Sequence, residues 1–589
     1  MANRIFVSAP TKDLDNFRRL AELTAQLGGT HVGVTGAEKA KWWWERDRTD
    51  PYPNWHMRHS TIFGLTVPDE LKDFLPVDYA KRNMDMLAAR AEILKEYNLK
   101  GWISMQEPQM LPEEIFMAYP DWRGARCDHP RRARRPYYTA CTDNPEVRRL
   151  YIEGIEKICR VLPIEYFECH INDAGSGMCW MPNLYNGPNG NTNCKHLTFG
   201  DRAVNLMSAF QEGAAKAGVK ATVHIPRIVP EIEAASSAHM LKEGQSVGKY
   251  GYSSRSAGSA EGFYSCVYPA VGIPQIVTFA EGFESIFKAT TEDIRLSFAG
   301  VDDFEAIEFA KKFINKPYSG LKARYAALEE VAESFLPGAG ADIVEVWDFI
   351  YKGIHKITQI RRGEPISFAG TVNQRWLTRP FVPFPMELTP EEKSYYRPFQ
   401  FQANSEEEAA DLMNTQGIRF QFGYTSREFT TKLFEAGQEY FRKAINKIND
   451  ITAKSKEAGY TKRLELLAKR LEAAILVMNN VINAVTFQDI LDRTDYDNPT
   501  QDNITSWPGV GDYKGLEAKQ AFRAEIDNTA NLIKLLESTG ETLIAVADSV
   551  EDEDIFTLNP NLTGQLRKKI KIMMDHAMDF DRLYARPNM

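Results

Sequence analysis

Along the first half of the chain, short apolar runs take turns with apolar stripes at helical spacing. Arg4–Pro10 (RIFVSAP) reads as a short strand. Behind it, Phe17, Leu20, Leu23 and Leu27 repeat at the interval of one helix face. THVGVTG (residues 30–36) is a second strand and Val77–Tyr97 a helix. GWISMQEP (101–108) is a strand, followed by a helix at Pro145–Val161. EYFECHIND (165–173) is a fourth strand, followed by Asp201–Ala217 as a helix. KATVHIP (220–226) precedes a helix at Glu231–Lys242. YGYSS (250–254) is a weak strand, PQIVTFAEG (274–282) a strong one and IRLSFAG (294–300) the last, before a helix at Phe304–Ile314. Strands that alternate with helices in this way predict parallel βα units, most simply a (β/α)8 TIM-type barrel over residues 1–320. PYYTACT (136–142) also has strand composition. It is read as the lead-in to the helix that TDNPE starts, with Pro145 in the first turn; as a barrel strand it would shift the register by one.

The pattern changes after Leu321. Leu464, Leu467, Leu471, Ile475, Met478 and Ile482 form a long stripe, and a further helix lies near the end of the chain, so residues 431–589 are expected to be an α-helical domain. Residues 321–430 are read as a helical and Pro/aromatic-rich connector. Its aperiodic part, Asn373–Gln402, is long enough to reach back toward the barrel mouth.

Composition narrows the partners. A net charge of −9 and 43% hydrophobic residues describe an ordinary globular chain with no broad positive field, which argues against nucleic acid and anionic membrane. RRARRP (131–136) is a local basic run, read as a solvated loop. No apolar run approaches the roughly 20 residues that cross a bilayer, and no secretory leader opens the sequence. The expected location is cytoplasmic, or periplasmic or secreted if a leader was removed. The seven cysteines contain no CxxC pair, which argues against a structural zinc site. Cys179 and Cys194 share a Gly/Asn-rich loop where a bridge can form. The odd count, and Cys169 within a strand, suit free buried thiols.

A barrel carries its chemistry at the C-terminal ends of its strands. Those ends hold Glu107, His170, Asn172, Asp173, His224, Arg227, Tyr252, Arg255, Glu281 and Asp302. Asp173 and Glu281, at the ends of the fourth and seventh predicted strands, are the expected catalytic pair. Glycoside hydrolysis needs one carboxyl group to protonate the leaving oxygen and a second to attack or to activate water. Asn172 would hold a sugar hydroxyl or the acid. Glu107 and Asp302 are reserves for the second role, and Arg227 or Arg255 would clamp a uronic-acid carboxylate. KWWWERDRTDPYPNWHMRHS (41–60) concentrates Trp42, Trp43, Trp44, Tyr52 and Trp55 in one loop, and Trp180 adds an aromatic face from another; such faces stack on sugar rings.

TDNPEVRRLYIEGIEKI followed by EYFECHINDAGSGMCW resembles the catalytic barrels of bacterial glycoside hydrolases related to α-glucuronidases and β-hexosaminidases. The likeness is sharp between Thr142 and Trp180. It implies a glycosidase with Asp173 as general acid, acting from a chain end. The expected substrate is a uronic-acid- or hexosamine-containing saccharide. The hexosaminidases end this strand in Asp-Glu, whereas this chain has Asn172–Asp173, an amide where substrate-assisted hydrolysis needs a carboxylate. The saccharide is the expected partner, with a homodimer possible, and neither a cofactor nor a metal is expected. Two rivals stand beside this reading. One is a metal-dependent isomerase or lyase built on His56, His59, His170 and His224. The other is a barrel that binds carbohydrate without cleaving it.

Overall fold

Pro145–Val161 shows how these segments become elements. Asn144 caps the helix, its side-chain oxygen accepting the N–H groups of Glu146 and Val147 at 2.9 and 3.3 Å. Pro145 fills the first turn, where a missing N–H costs nothing. Val147, Leu150, Tyr151, Ile155 and Ile158 then turn one buried stripe toward the sheet. The structure is a computed structural model that describes residues 4–11, 13–34, 60–127, 136–172, 175–181, 189–226, 229, 231–259, 265–358, 370–372, 374–400, 424–455, 458–492 and 510–583.

The described strands, in chain order, are β1 (Ile5–Ser8), β2 (His31–Gly33), β3 (Lys100–Gln106), β4 (Met110–Leu111), β5 (Arg123–Arg126), β6 (Tyr138–Ala140), β7 (Ile164–His170), β8 (Thr222–Ile225), β9 (Gln245–Val247), β10 (Ser254–Gly258) and β11 (Asp293–Ser297). Eight of them form one sheet in the order β10-β11-β1-β2-β3-β7-β8-β9, and every pairing in it is parallel. This is the strand order of a (β/α)8 barrel opened between its sixth and seventh strands. The sheet is strongly curled. In a flat sheet β11 and β7 would stand four strand spacings apart, about 19 Å, yet Arg295 of β11 and Glu168 of β7 form an ion pair at 2.6 Å. Near the opening, the rings of His224 on β8 and Tyr252 just before β10 approach to 4.7 Å.

Two predicted strands need correction. PQIVTFAEG is the start of a helix, Ile276–Ile286. Its buried residues Ile276, Val277, Phe279, Ala280, Phe283 and Ile286 recur at three and four, not two. The seventh strand is instead the polar SRSAG of β10, and the sixth is Gln245–Val247 rather than YGYSS. PYYTACT does form a strand, β6, but in a separate antiparallel sheet with β4 and β5, so the barrel register does not shift.

Met1–Ser259 and Phe279–Ser319 make up one compact unit; Ala260–Thr278 and Gly320–Met589 make up a second. The second is mainly helical, with long helices at Gly340–Thr358, Tyr424–Lys454, Ala458–Asp492 and Val510–Glu537. The stripe from Leu464 to Met478 is buried in it. Within Ala458–Asp492 lies a stretch long and apolar enough to cross a membrane, contrary to the sequence expectation, and 78% of that window is buried inside the protein. The connector region does not extend free. Arg375, Trp376 and Arg379 are among the most completely buried side chains of the second unit.

Candidate functional site on the inner face of the curled sheet

Alternation along β7 decides which side chains line the interior. Phe167 and Cys169 are fully buried, and Phe167 packs edge-on to Phe210 of the helix Phe199–Lys216. Tyr166, Glu168 and His170 therefore face the other way, into the curl. On β11, Arg295 lies in register with Phe6 of β1, between outward Ile294 and Leu296. Its guanidinium is within 5.0–5.5 Å of the rings of Phe6, Trp102, Tyr166 and Tyr252. Its Nε donates to the Tyr252 hydroxyl at 3.0 Å and its Nη1 to Glu168 at 2.6 Å. The second Glu168 oxygen meets His170 Nε2 at 3.1 Å. Burial alone would raise the Glu168 carboxyl, but the His170 hydrogen bond and the Arg295 charge outweigh it and hold the group down to about 2. Glu168 is thus a permanent anion. The cluster is not sealed: the His170 side chain is 29% exposed. His224 completes the polar lining. Its Nδ1 pairs with the Ser246 hydroxyl at 2.8 Å, and burial lowers its pKa to about 4, so the ring is neutral. Arg295 Nη2 and the Trp102 indole N–H are buried with no acceptor among the described residues.

Three sequence-predicted residues meet here: His170, His224 and Tyr252. The other described candidates do not join them. Arg255 stands out of phase with the inner face, beside Ile294, and pairs with Glu292 at 2.9 Å ahead of β11. Glu281 sits on the exposed side of the helix Ile276–Ile286, because the helical period that buries Phe279 and Phe283 turns it outward. Asp302 is on the surface, paired with Arg19 at 2.5 Å. Its neighbour Asp303 is the one that turns inward, where it accepts from Ser259 and from the Ala299 N–H.

Glu107 is fully buried and already saturated. Oε1 accepts the Ile62 N–H at 2.6 Å; Oε2 accepts the Gln109 N–H at 3.1 Å and the Tyr151 hydroxyl at 2.7 Å. It ties strand end to helix and has no oxygen to spare for a sugar. Burial raises its pKa to about 7 against an ordinary 4.5. The unfolded chain gives up this proton first, so stability falls between pH 4.5 and 7 and is level above, by roughly 3 kcal/mol in all. Glu107→Gln removes the titration. Its destabilisation relative to wild type is expected to be largest at low pH and to shrink by about that amount above pH 7; a gap that stays constant across a urea-denaturation pH series would overturn this.

Asn172 is buried, with a left-handed φ of 57°, a region asparagine tolerates. Its Oδ1 accepts the Met178 N–H at 3.0 Å and so folds the loop back on itself. Trp180 packs against Cys141, Cys179 and Cys194 and donates its indole N–H to the Asn191 carbonyl at 3.0 Å. Asp173, Arg227, Trp44, Trp55, His56, His59 and Arg131–Arg135 lie outside the described residues. Sequence reasoning missed Glu168, Arg295, Tyr166 and Trp102. The signal was present in the alternation of EYFECH and IRLS, where a charge stands between apolar neighbours on a strand whose outer face must be apolar.

No family model matches the chain, and no curated protein is detectably similar to it in sequence. Among solved structures, one aligns well enough to share its fold and others align more loosely. A GH138 enzyme targeting pectin rhamnogalacturonan II aligns with 99% of this chain and 84% of its own, at 9% identity and a TM-score of 0.53. A glycoside hydrolase family 20 β-N-acetylglucosaminidase aligns with 56% of this chain and 74% of its own, at 10% identity and a TM-score of 0.32. An O-GlcNAc hydrolase of Thermobaculum terrenum aligns with 98% and 95%, at 8% identity and a TM-score of 0.35. At such identities the first establishes a common fold: an α/β unit with a curled parallel sheet, followed by a helical region.

Proposed function

We propose that the protein is a glycoside hydrolase that cleaves an O-glycosidic bond at the C-terminal end of the curled sheet, releasing a terminal sugar from a uronic-acid- or hexosamine-containing saccharide. The observation that carries this reading is the cluster of Glu168, Arg295 and His170, open to solvent and ringed by Trp102, Tyr166 and Tyr252. Ion-paired side chains beside aromatic faces offer fixed donors and acceptors for hydroxyls, with flat apolar surface for the ring. The fold shared with the GH138 enzyme agrees with it. Arg295 joins Arg227 as a candidate for the carboxylate-clamping role, in place of Arg255, since its Nη2 is not engaged by another described residue.

Asp173, three residues beyond β7, remains the proposed general acid. Glu281 is not kept as its partner, since it lies on the exposed side of the helix Ile276–Ile286. The assignment of Asp173 comes from sequence position relative to the strand.

A panel of aryl glycosides, with uronides, N-acetylhexosaminides and neutral sugars, tests the reading. Wild type is expected to release aryl alcohol from one class. Asp173→Ala is expected to lose about 10³-fold or more in kcat with sugar binding retained. No cleavage across the panel, or undiminished turnover in Asp173→Ala, sinks the proposal.

A further inference from the structure

Cys141 follows β6, Cys179 lies in the loop after β7, and Cys194 ends a short helical turn at Thr192–Cys194. These three points, 38 and 15 residues apart in sequence, converge: the three sulfurs all lie within 4.8 Å of one another. All three side chains are buried. Cys179 and Cys194 do not form the bridge that their shared loop allows; all seven cysteines are thiols. A thiolate site made by distant segments needs no CxxC pair.

From this convergence we propose that Cys141, Cys179 and Cys194 bind one soft d10 metal ion, zinc(II), that clips the loop after β7 to the β6 segment. The Cys141–Cys194 separation is 3.7 Å. Two sulfurs on a tetrahedral zinc with bonds of about 2.3 Å stand roughly 3.8 Å apart, whereas a disulfide needs about 2.05 Å. The surroundings suit thiolates. The Asn191 backbone N–H is directed at the Cys179 sulfur. N–H donors to sulfur are the supporting contacts that hold metal thiolates in place.

Arg202, 3% exposed and with an Nε that has no acceptor among the described residues, is a buried cation near Cys194. Gly190 makes the packing possible: a Cβ there would stand 2.8 Å from the Cys179 Cβ and 3.0 Å from the Trp180 indole nitrogen. Three protein ligands leave the fourth position to water. The clip secures the segment that carries Asn172, and it does not depend on the glycosidase reading.

The test uses the full chain, reduced and stripped with a chelator. Cobalt(II) titration is expected to give one equivalent bound per chain, with sulfur-to-cobalt charge-transfer absorption that zinc(II) abolishes. Zinc(II) is also expected to raise the thermal midpoint of the wild type in a concentration-dependent way. Cys141→Ser, Cys179→Ser and Cys194→Ser should each weaken binding by about 100-fold or more, while Cys159→Ser leaves it unchanged. A wild type that shows neither the charge-transfer band nor the thermal shift overturns the proposal, and so does a band that survives all three substitutions. Because these readouts need no substrate, they separate failure of the clip from failure of the proposed activity.

Discussion

Glu168→Gln is expected to lower kcat/KM on the responsive aryl glycoside by about 10³-fold, equivalent to roughly 4 kcal/mol of transition-state stabilisation. The carboxylate fixes two partners at once, Arg295 at 2.6 Å and His170 at 3.1 Å. Glutamine keeps the shape and one acceptor, but it removes the charge that holds the guanidinium among the four rings. A buried arginine without its counter-ion reorients or recruits another anion, and the sugar-binding floor is lost with it. If the role is positioning, the loss divides between kcat and KM, and Arg295→Lys does not rescue it, because an ammonium cannot serve Tyr252 and Glu168 together. The pH profile gives an independent check. Glu168 is held near 2, so its own titration contributes nothing above about pH 4. An acidic limb seen at pH 5–6 therefore belongs to another group, and it should persist in Glu168→Gln. A tenfold or smaller loss, with near-ultraviolet circular dichroism unchanged, would reduce the pair to a structural contact.

How much of this is legible in the sequence depends on what each pattern reports. The βα alternation was readable because outward strand faces pack on helices and must be apolar, as Phe167 and Cys169 do. The same rule hid β10. SRSAG is polar on most positions, with Ala257 as its one fully buried apolar residue, so it lacks the run that marks a strand. The apolar run next in line, IVTFAEGF, belongs to the helix that covers it. There Gly282 comes so close that a Cβ would sit 3.0 Å from the Ser256 carbonyl oxygen. That single misplacement carried Glu281 into the predicted site. Arg255 failed for a different reason: whether a strand residue faces inward depends on register, and a slip of one reverses it. Glu107 failed because strand-end position says nothing about whether a carboxylate is already satisfied. His170, His224 and Tyr252 come together because polar residues alternating with apolar ones on inner-face positions have few other places to go.

The largest expected loss of stability lies in the helical unit, at a pair the sequence pattern did not mark. Lys569 and Glu525 are both completely buried and form a close ion pair. Lys569 also donates to the carbonyls of Trp376 and Leu377 at 3.0 and 3.1 Å. Glu525 receives Asn480 at 2.7 Å, Asn483 at 2.8 Å and Thr529 at 3.3 Å. The network joins three helices to the otherwise irregular segment at Trp376–Leu377, so it sets how that segment packs. Glu525→Ala leaves an ammonium without a counter-charge in a site from which water is excluded, and burial already lowers the Lys569 pKa. The expected cost is about 3–5 kcal/mol. Lys569→Met should cost less, because Asn480 still donates to the Trp376 carbonyl at 3.0 Å and the two asparagines still satisfy the carboxylate. The double variant should recover roughly 2–3 kcal/mol of the summed single losses, since removing both charges removes the penalty each leaves behind. Guanidinium denaturation followed through the helical signal measures all four proteins. If the two losses add to within about 0.5 kcal/mol, the side chains do not depend on each other, and the segment is held by its tryptophan and its hydrogen-bonded carbonyls rather than by the charge pair.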